Sequence, residues 1–181
     1  MRLAVLGGSL RKASLNARFL RHLAHTLEVR GHSVAAFAGE ALRLPLYDAD
    51  LPEAPPGAKA LHSALLDAGA LVIVSPEYNA GIPGHLKNAV DWGSTMEPNP
   101  WTGLPVLLCS ASPGAFGGAR AMLSWRATLA NMGAFTFPGS VNVPHADKNL
   151  DAAGAPTDSR TIASLGLALD GFLDFAAKLR A

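Results

Sequence analysis

Length, composition and charge exclude several classes of protein before any motif is read. The chain has 181 residues, 49% of them hydrophobic and 16% charged, which fits a single packed domain over residues 1–181 and excludes a disordered chain. A net charge of +1 gives no basic field for nucleic acid and no acidic surface for docking on basic partners. The single cysteine, Cys109, excludes an internal disulfide and suits a reducing compartment.

In chain order, short apolar runs alternate with longer segments of helical spacing. Leu3 to Leu6 reads as a first strand. Ser14 to Arg30 reads as a helix, with Leu15, Phe19, Leu23 and Leu27 recurring on one side and Gly31 ending it. Val34 to Phe37 is a second, weaker strand. Leu44 to Pro56 holds four prolines and reads as a loop. Gly57 to Asp67 is helical again. Ala70 to Val74 is a third strand, apolar throughout and so expected to be covered on both faces. Pro83 to Trp92 is a helix opened by proline. Leu104 to Ser110 is a fourth strand, Gly118 to Met132 a helix, and Ala134 to Pro138 a short fifth strand. The last helix spans Thr157 to Leu179, with Ile162, Leu165, Leu169, Phe172, Leu173 and Ala176 on its packed side. No apolar run nears the roughly 18 residues of a bilayer span, and the start of the chain lacks a leader pattern. A cytoplasmic protein without membrane or nucleic-acid partners is the expectation.

Five strands alternating with helices imply an α/β fold, a doubly wound five-stranded parallel sheet of order 2-1-3-4-5 with helices on both faces. Ligands of such sheets bind beyond the carboxyl ends of the strands, where the order reverses. That rule selects the segments after strands one, three and four. The first, "GSLRKASLNA" (Gly8–Ala17), has neither the G-x-G-x-x-G of dinucleotide folds nor the G-K-[ST] of a P-loop. It sets Ser9, Arg11, Ser14 and Asn16 before the free N–H groups of a helix start, an arrangement that favours an anion. A capped helix with surface cations explains this loop taken alone equally well. The second, "SPEYNAGIPGHLKNAVDW" (Ser75–Trp92), presents backbone polar groups and the flat Tyr78 at a rim, which suits the edge of a planar heterocycle. The third, "SASPGAFGGAR" (Ser110–Arg120), has glycines 114, 117 and 118, which allow close backbone approach, although a plain flexible connection explains it as well. The force of the reading lies in the coincidence of all three at the selected rim.

These motifs resemble the NADPH-dependent FMN reductase family, a flavodoxin-like group, and most of all its bacterial chromate/quinone reductase branch. "LPLYDADLP" (Leu44–Pro52) resembles that branch too, and the likeness runs from the first strand to about Arg120. The resemblance implies bound FMN, with NADPH or NADH as hydride donor. Its phosphate loop maps onto Gly8, Ser9, Arg11, Ser14 and Asn16, with Leu15 between them. Its isoalloxazine loop maps onto Pro76, Glu77, Tyr78 and Asn79. By the same likeness Ser112, Pro113, Gly114 and Gly117 approach the far side of the flavin. The implied activity is transfer of a hydride from NAD(P)H to FMN, then of two electrons to a quinone, free flavin, azo compound or chromate. No catalytic side chain is needed, because the cofactor performs the chemistry. A homodimer or homotetramer is also implied. The competing reading is a flavodoxin-type electron carrier without turnover of its own, against which the lack of acidic charge counts. A family member that has lost its flavin and binds a partner protein is a third.

A Cys109 phosphatase loop would need arginine where Ala115 stands, so Cys109 reads as a buried strand residue. His22 and His25 share a helix but lack a third ligand, and no acidic cluster of a phosphoryl receiver follows the first strand. "DWGSTMEPNPW" (Asp91–Trp101) leaves three roles open for its aromatics: core, flavin cover or subunit contact.

Overall fold

The computed structural model describes residues 1–180. Five strands, β1 (Arg2–Gly7), β2 (Ser33–Ala38), β3 (Ala70–Val74), β4 (Pro105–Ala111) and β5 (Phe135–Val143), form one sheet in the order β2-β1-β3-β4-β5. Every neighbouring pair is parallel. The helices are α1 (Leu15–Val29), α2 (Pro56–Asp67), α3 (Gly84–Ser94), α4 (Ala119–Asn131), a single turn α5 (Ala146–Asn149) and α6 (Ser159–Lys178). A 3₁₀ turn at Gly39–Leu42 follows β2. No helix among the described residues is long and apolar enough to cross a membrane.

The sheet divides the core because successive strand residues face opposite sides. Leu3 and Val5 of β1 pack with Phe19, Leu23 and Leu27 of α1 and with Leu169 and Phe172 of α6. Ala4 and Leu6 face the other way, onto Leu61 and Leu65 of α2, Leu86 of α3 and Trp125 of α4. The apolar run of β3 is buried throughout, as continuous hydrophobicity between two helix layers requires. Local signals hold at the helix ends. Ser14 caps α1 by accepting the Ala17 N–H at 3.1 Å, and Gly31 leaves it at φ +83°.

Two expectations are corrected and one open role is settled. The fifth strand does not end at Pro138 but runs to Val143. β5 is an edge strand, and its pairing with β4 shifts register between Val106 and Leu108, an irregularity that accommodates a residue without an N–H donor. Arg126 of α4 stabilises the distortion by donating to the Phe137 carbonyl at 3.0 Å and the Pro138 carbonyl at 2.8 Å. Ile162 is not on the packed side of α6. It is 52% exposed and borders a surface groove with His22 and Pro156. The tryptophans of Asp91–Trp101 are core residues: both are buried, and Trp92 donates Nε1–H to the Pro45 carbonyl at 2.8 Å. That bond, with the edge-on stacking of Tyr47 on Trp92 at 5.1 Å, pins the proline-rich loop against α3.

Candidate functional site

A cleft of about 400 Å³ opens at the carboxyl edge of the sheet, between the loops that follow β1, β3 and β4. Its size falls within the range of small-molecule sites, about 300–1,000 Å³. β1 and β3 are adjacent, so their two loops leave the sheet side by side. Gly7 makes this contact: a Cβ there would stand 2.0 Å from the Val74 carbonyl oxygen. The Gly8 N–H then donates to that same oxygen at 2.7 Å.

The first loop delivers the chain to α1, whose N-terminus faces the cleft. Ser14 uses its hydroxyl oxygen on Ala17. The N–H groups of Leu15 and Asn16 lie in the first helical turn and have no acceptor within the helix. No acidic side chain occupies that turn, so its partial positive charge is left for a ligand. Ser9 is nearly buried and Arg11 exposed, and both line the cleft with Ser14, Leu15 and Asn16. The Asn16 side chain is committed elsewhere. Its Nδ2 donates to the Ala111 carbonyl at 2.7 Å and its Oδ1 accepts the Ala111 N–H at 2.9 Å. A role for Asn16 toward a phosphate therefore falls to its backbone N–H.

The second loop contributes Pro76, Glu77 and Tyr78 to the lining. Tyr78 and Gly81 exchange backbone hydrogen bonds of 3.2 and 2.9 Å, closing a tight turn with Asn79 and Ala80 at φ +51° and +61°. Both values suit a primed hairpin turn, and they point Asn79 into solvent rather than the cleft. Glu77 is anchored from behind. Its carboxylate accepts the Arg120 backbone N–H at 3.0 Å and the Arg120 Nε–H at 2.7 Å. This pair ties the loop to the start of α4 and neutralises both charges. His85, near the start of α3, donates Nε2–H to the Gly8 carbonyl at 3.2 Å. Burial lowers its pKa, partly offset by that bond.

The third loop contributes Ser112 and Pro113. Gly114 and Gly117 are outside the lining. Gly114 is exposed, with its N–H on Ser112 Oγ at 3.1 Å. Gly117 is buried at φ +61°, where a Cβ would press on the backbone of Pro144. Its carbonyl sits 2.5 Å from Ser110 Oγ, which also contacts Asn142 Oδ1 at 2.7 Å. Gly117 therefore supports the loop from underneath. Cys109 is fully buried, and burial pushes its thiol up to about 12, so it is inert at neutral pH.

Sequence reasoning missed Ala13, Ala111 and Asp147, which also line the cleft, and Arg120, Ser110 and Asn142, which brace it. Arg120 and Ser110 stood inside the quoted third loop without a role. Asp147 and Asn142 had no local signal, since the end of β5 and α5 reach the site only because β5 lies beside β4.

The donors on the phosphate-loop side fit a mononucleotide: two free helix N–H groups, the hydroxyls of Ser9 and Ser14, and the Arg11 guanidinium. A 2-1-3-4-5 sheet with such donors at its switch point defines a flavodoxin-like nucleotide-binding protein. The family model of the NADPH-dependent FMN reductases matches residues 1–148, beyond Arg120 where the motif likeness fades. The quinone reductase of Escherichia coli (strain K12) is 38% identical over 136 residues, covering 71% of this chain and 69% of that one. A 2-hydroxy-1,4-benzoquinone reductase from a Burkholderia species is 35% identical over 161 residues, covering 85% and 84%. The solved structure of FerB, a flavoenzyme NAD(P)H:(acceptor) oxidoreductase from Paracoccus denitrificans, superposes with a TM-score of 0.85 at 32% identity, covering 98% and 97%. The chain belongs to the NADPH-dependent FMN reductase family, and it is an oxidoreductase that uses FMN with NAD(P)H as donor.

Proposed function

We propose that the protein transfers two electrons from NAD(P)H to a quinone. The observation that carries this reading is the cleft at the sheet's switch point, with unpaired α1 donors on one wall and the partly exposed Tyr78 ring at the other. The curated relatives named for quinone reduction support the choice of acceptor. FMN, when bound, would supply the redox chemistry between the nicotinamide and the acceptor. The residues hold and orient. Arg11, Ser9 and Ser14, with the N–H groups of Leu15 and Asn16, hold the phosphate. Backbone groups of Pro76 to Asn79 and of Ser112 and Pro113 flank the ring. No side chain of the cleft is assigned a proton transfer. Azo compounds, chromate and free flavin are secondary acceptors of the same exposed site.

The test is oxidation of NADPH and NADH by the purified protein with benzoquinone present. A yellow protein that leaves both nicotinamides untouched would establish the electron-carrier reading instead. In the same preparation Arg11→Ala is expected to retain its fold, since the side chain is exposed. Its FMN affinity should fall about ten- to hundredfold, the loss of one hydrogen bond to a charged group. Unchanged flavin content would remove Arg11 from the site. We also propose a homo-oligomer, supported by Phe116 and Leu123, each 73% exposed beside or on α4. A gel-filtration mass of one chain would refute that.

A further inference from the structure

One hydroxyl on the wall of the cleft has two neighbours that can both donate to it. Ser9 is 7% exposed, and its Oγ has two hydrogen-bond neighbours among the described residues. Tyr78 Oη lies 2.8 Å away, and the Arg11 backbone N–H donates to it at 3.3 Å. The 2.8 Å geometry allows either direction, and the phenol, a far stronger acid than an aliphatic alcohol, is the better donor of the two, with Ser9 as the acceptor. A serine hydroxyl has two lone pairs and one proton. Both lone pairs are then filled, and the proton is turned away from both donors. Ser9 lines the cleft, so that proton is offered to whatever the cleft binds.

Tyr78 is itself held in place. Its backbone is closed into the turn with Gly81. Its ring lies 6.5 Å, centroid to centroid, from that of His85, which also bonds the Gly8 carbonyl next to Ser9. The phenol therefore meets Ser9 across a frame that ties the first loop to the second. Without this phenol, Ser9 would be free to rotate and to present a lone pair instead. A ligand that gains from the fixed donor is one that only accepts, and the oxygens of a phosphate monoester near neutral pH are of that kind.

We infer that Tyr78 is a positioning residue for the phosphate of the bound nucleotide: its phenol fixes the Ser9 hydroxyl as a donor into the cleft. The inference rests on the FMN reading above and adds a role for a side chain that the motif assigns to the ring end of the site. It separates from a mere latch between loops by comparing two flavins, FMN and riboflavin, which differ only in the phosphate. In titrations of the flavin-stripped protein, Tyr78→Phe is expected to weaken FMN about three- to tenfold and riboflavin less than twofold. Ser9→Ala should remove the same increment of preference for FMN. Adding Tyr78→Phe to Ser9→Ala should change the FMN-to-riboflavin ratio no further, because the two act as one unit. Equal loss of both flavins in Tyr78→Phe, or unchanged or tighter FMN binding, would overturn the inference while leaving the FMN reading intact. Wild-type protein that binds neither flavin would overturn both. Far-UV circular dichroism establishes that each variant is folded, and if Tyr78→Phe is not, the ratio measured in Ser9→Ala decides: a preference for FMN equal to wild type overturns the inference.

Discussion

Gly7→Ala is expected to destabilise the protein by more than about 4 kcal/mol, a loss that few single substitutions reach and that uses up much of a typical stability of about 5–15 kcal/mol. Gly7 is at φ +148°, and a Cβ on it would lie 2.0 Å from the Val74 oxygen and 2.7 Å from its carbonyl carbon. Those are backbone atoms of the strand paired with β1 at this very position. β3 is buried on both faces, so it has no room to retreat. Gly8 provides the contrast. It sits at φ +82°, and its Cβ would meet Ala17 at 3.3 Å, so Gly8→Ala should cost mainly the left-handed backbone, about 1–2 kcal/mol. Urea unfolding of the two variants checks the ordering. A Gly7→Ala protein no less stable than Gly8→Ala would show that the β1 and β3 exits are not in rigid contact.

Asn16→Ala is expected to lose about 3 kcal/mol of folding stability. The side chain is 4% exposed and spans from α1 to both backbone polar groups of Ala111, at the end of β4. Alanine leaves a peptide N–H and a carbonyl without partners in a buried place, at about 1–3 kcal/mol each. Asn16→Asp should be worse for the site. It keeps an acceptor for the Ala111 N–H but sets a negative oxygen against the Ala111 carbonyl, and it brings a negative charge to the α1 end where the phosphate is proposed. Thermal or urea unfolding, with FMN affinity measured alongside, reads both effects. Loss of FMN with stability within 1 kcal/mol of wild type in Asn16→Ala would return Asn16 to a direct ligand role.

These two residues mark how far the site could be read beforehand. The first and second loops were legible as motifs because their residues are contiguous: Ser9, Arg11 and Ser14 lie within one turn of chain before α1. What each side chain does there was less legible. Asn16 had the look of a phosphate ligand, yet its amide partner is 95 residues away. Glu77 was grouped with the ring-binding loop, and its carboxylate serves Arg120, 43 residues on. Ser9 and Tyr78 belonged to separate motifs and meet over 69 residues. Gly114 and Gly117 read as approaching a ligand, and neither lines the cleft: Gly114 is exposed and Gly117 packs on the Pro144 backbone.

The amino-acid order by itself determined the element sequence, the parallel sheet and the rim at which the cleft opens. Periodicity, helix caps and glycine or proline punctuation act within a few residues, and the handedness of strand–helix–strand crossovers then leaves few topologies. The three-dimensional packing alone decided where β5 ends, that Trp92 and Trp101 belong to the core, and which polar groups line the cleft and which brace its walls. Those outcomes depend on partners that the sheet order brings together, such as Arg126 on the distorted edge of β5 and Ala111 on Asn16. A hydrogen bond's worth is set by the atoms available across the gap, and no local pattern encodes them.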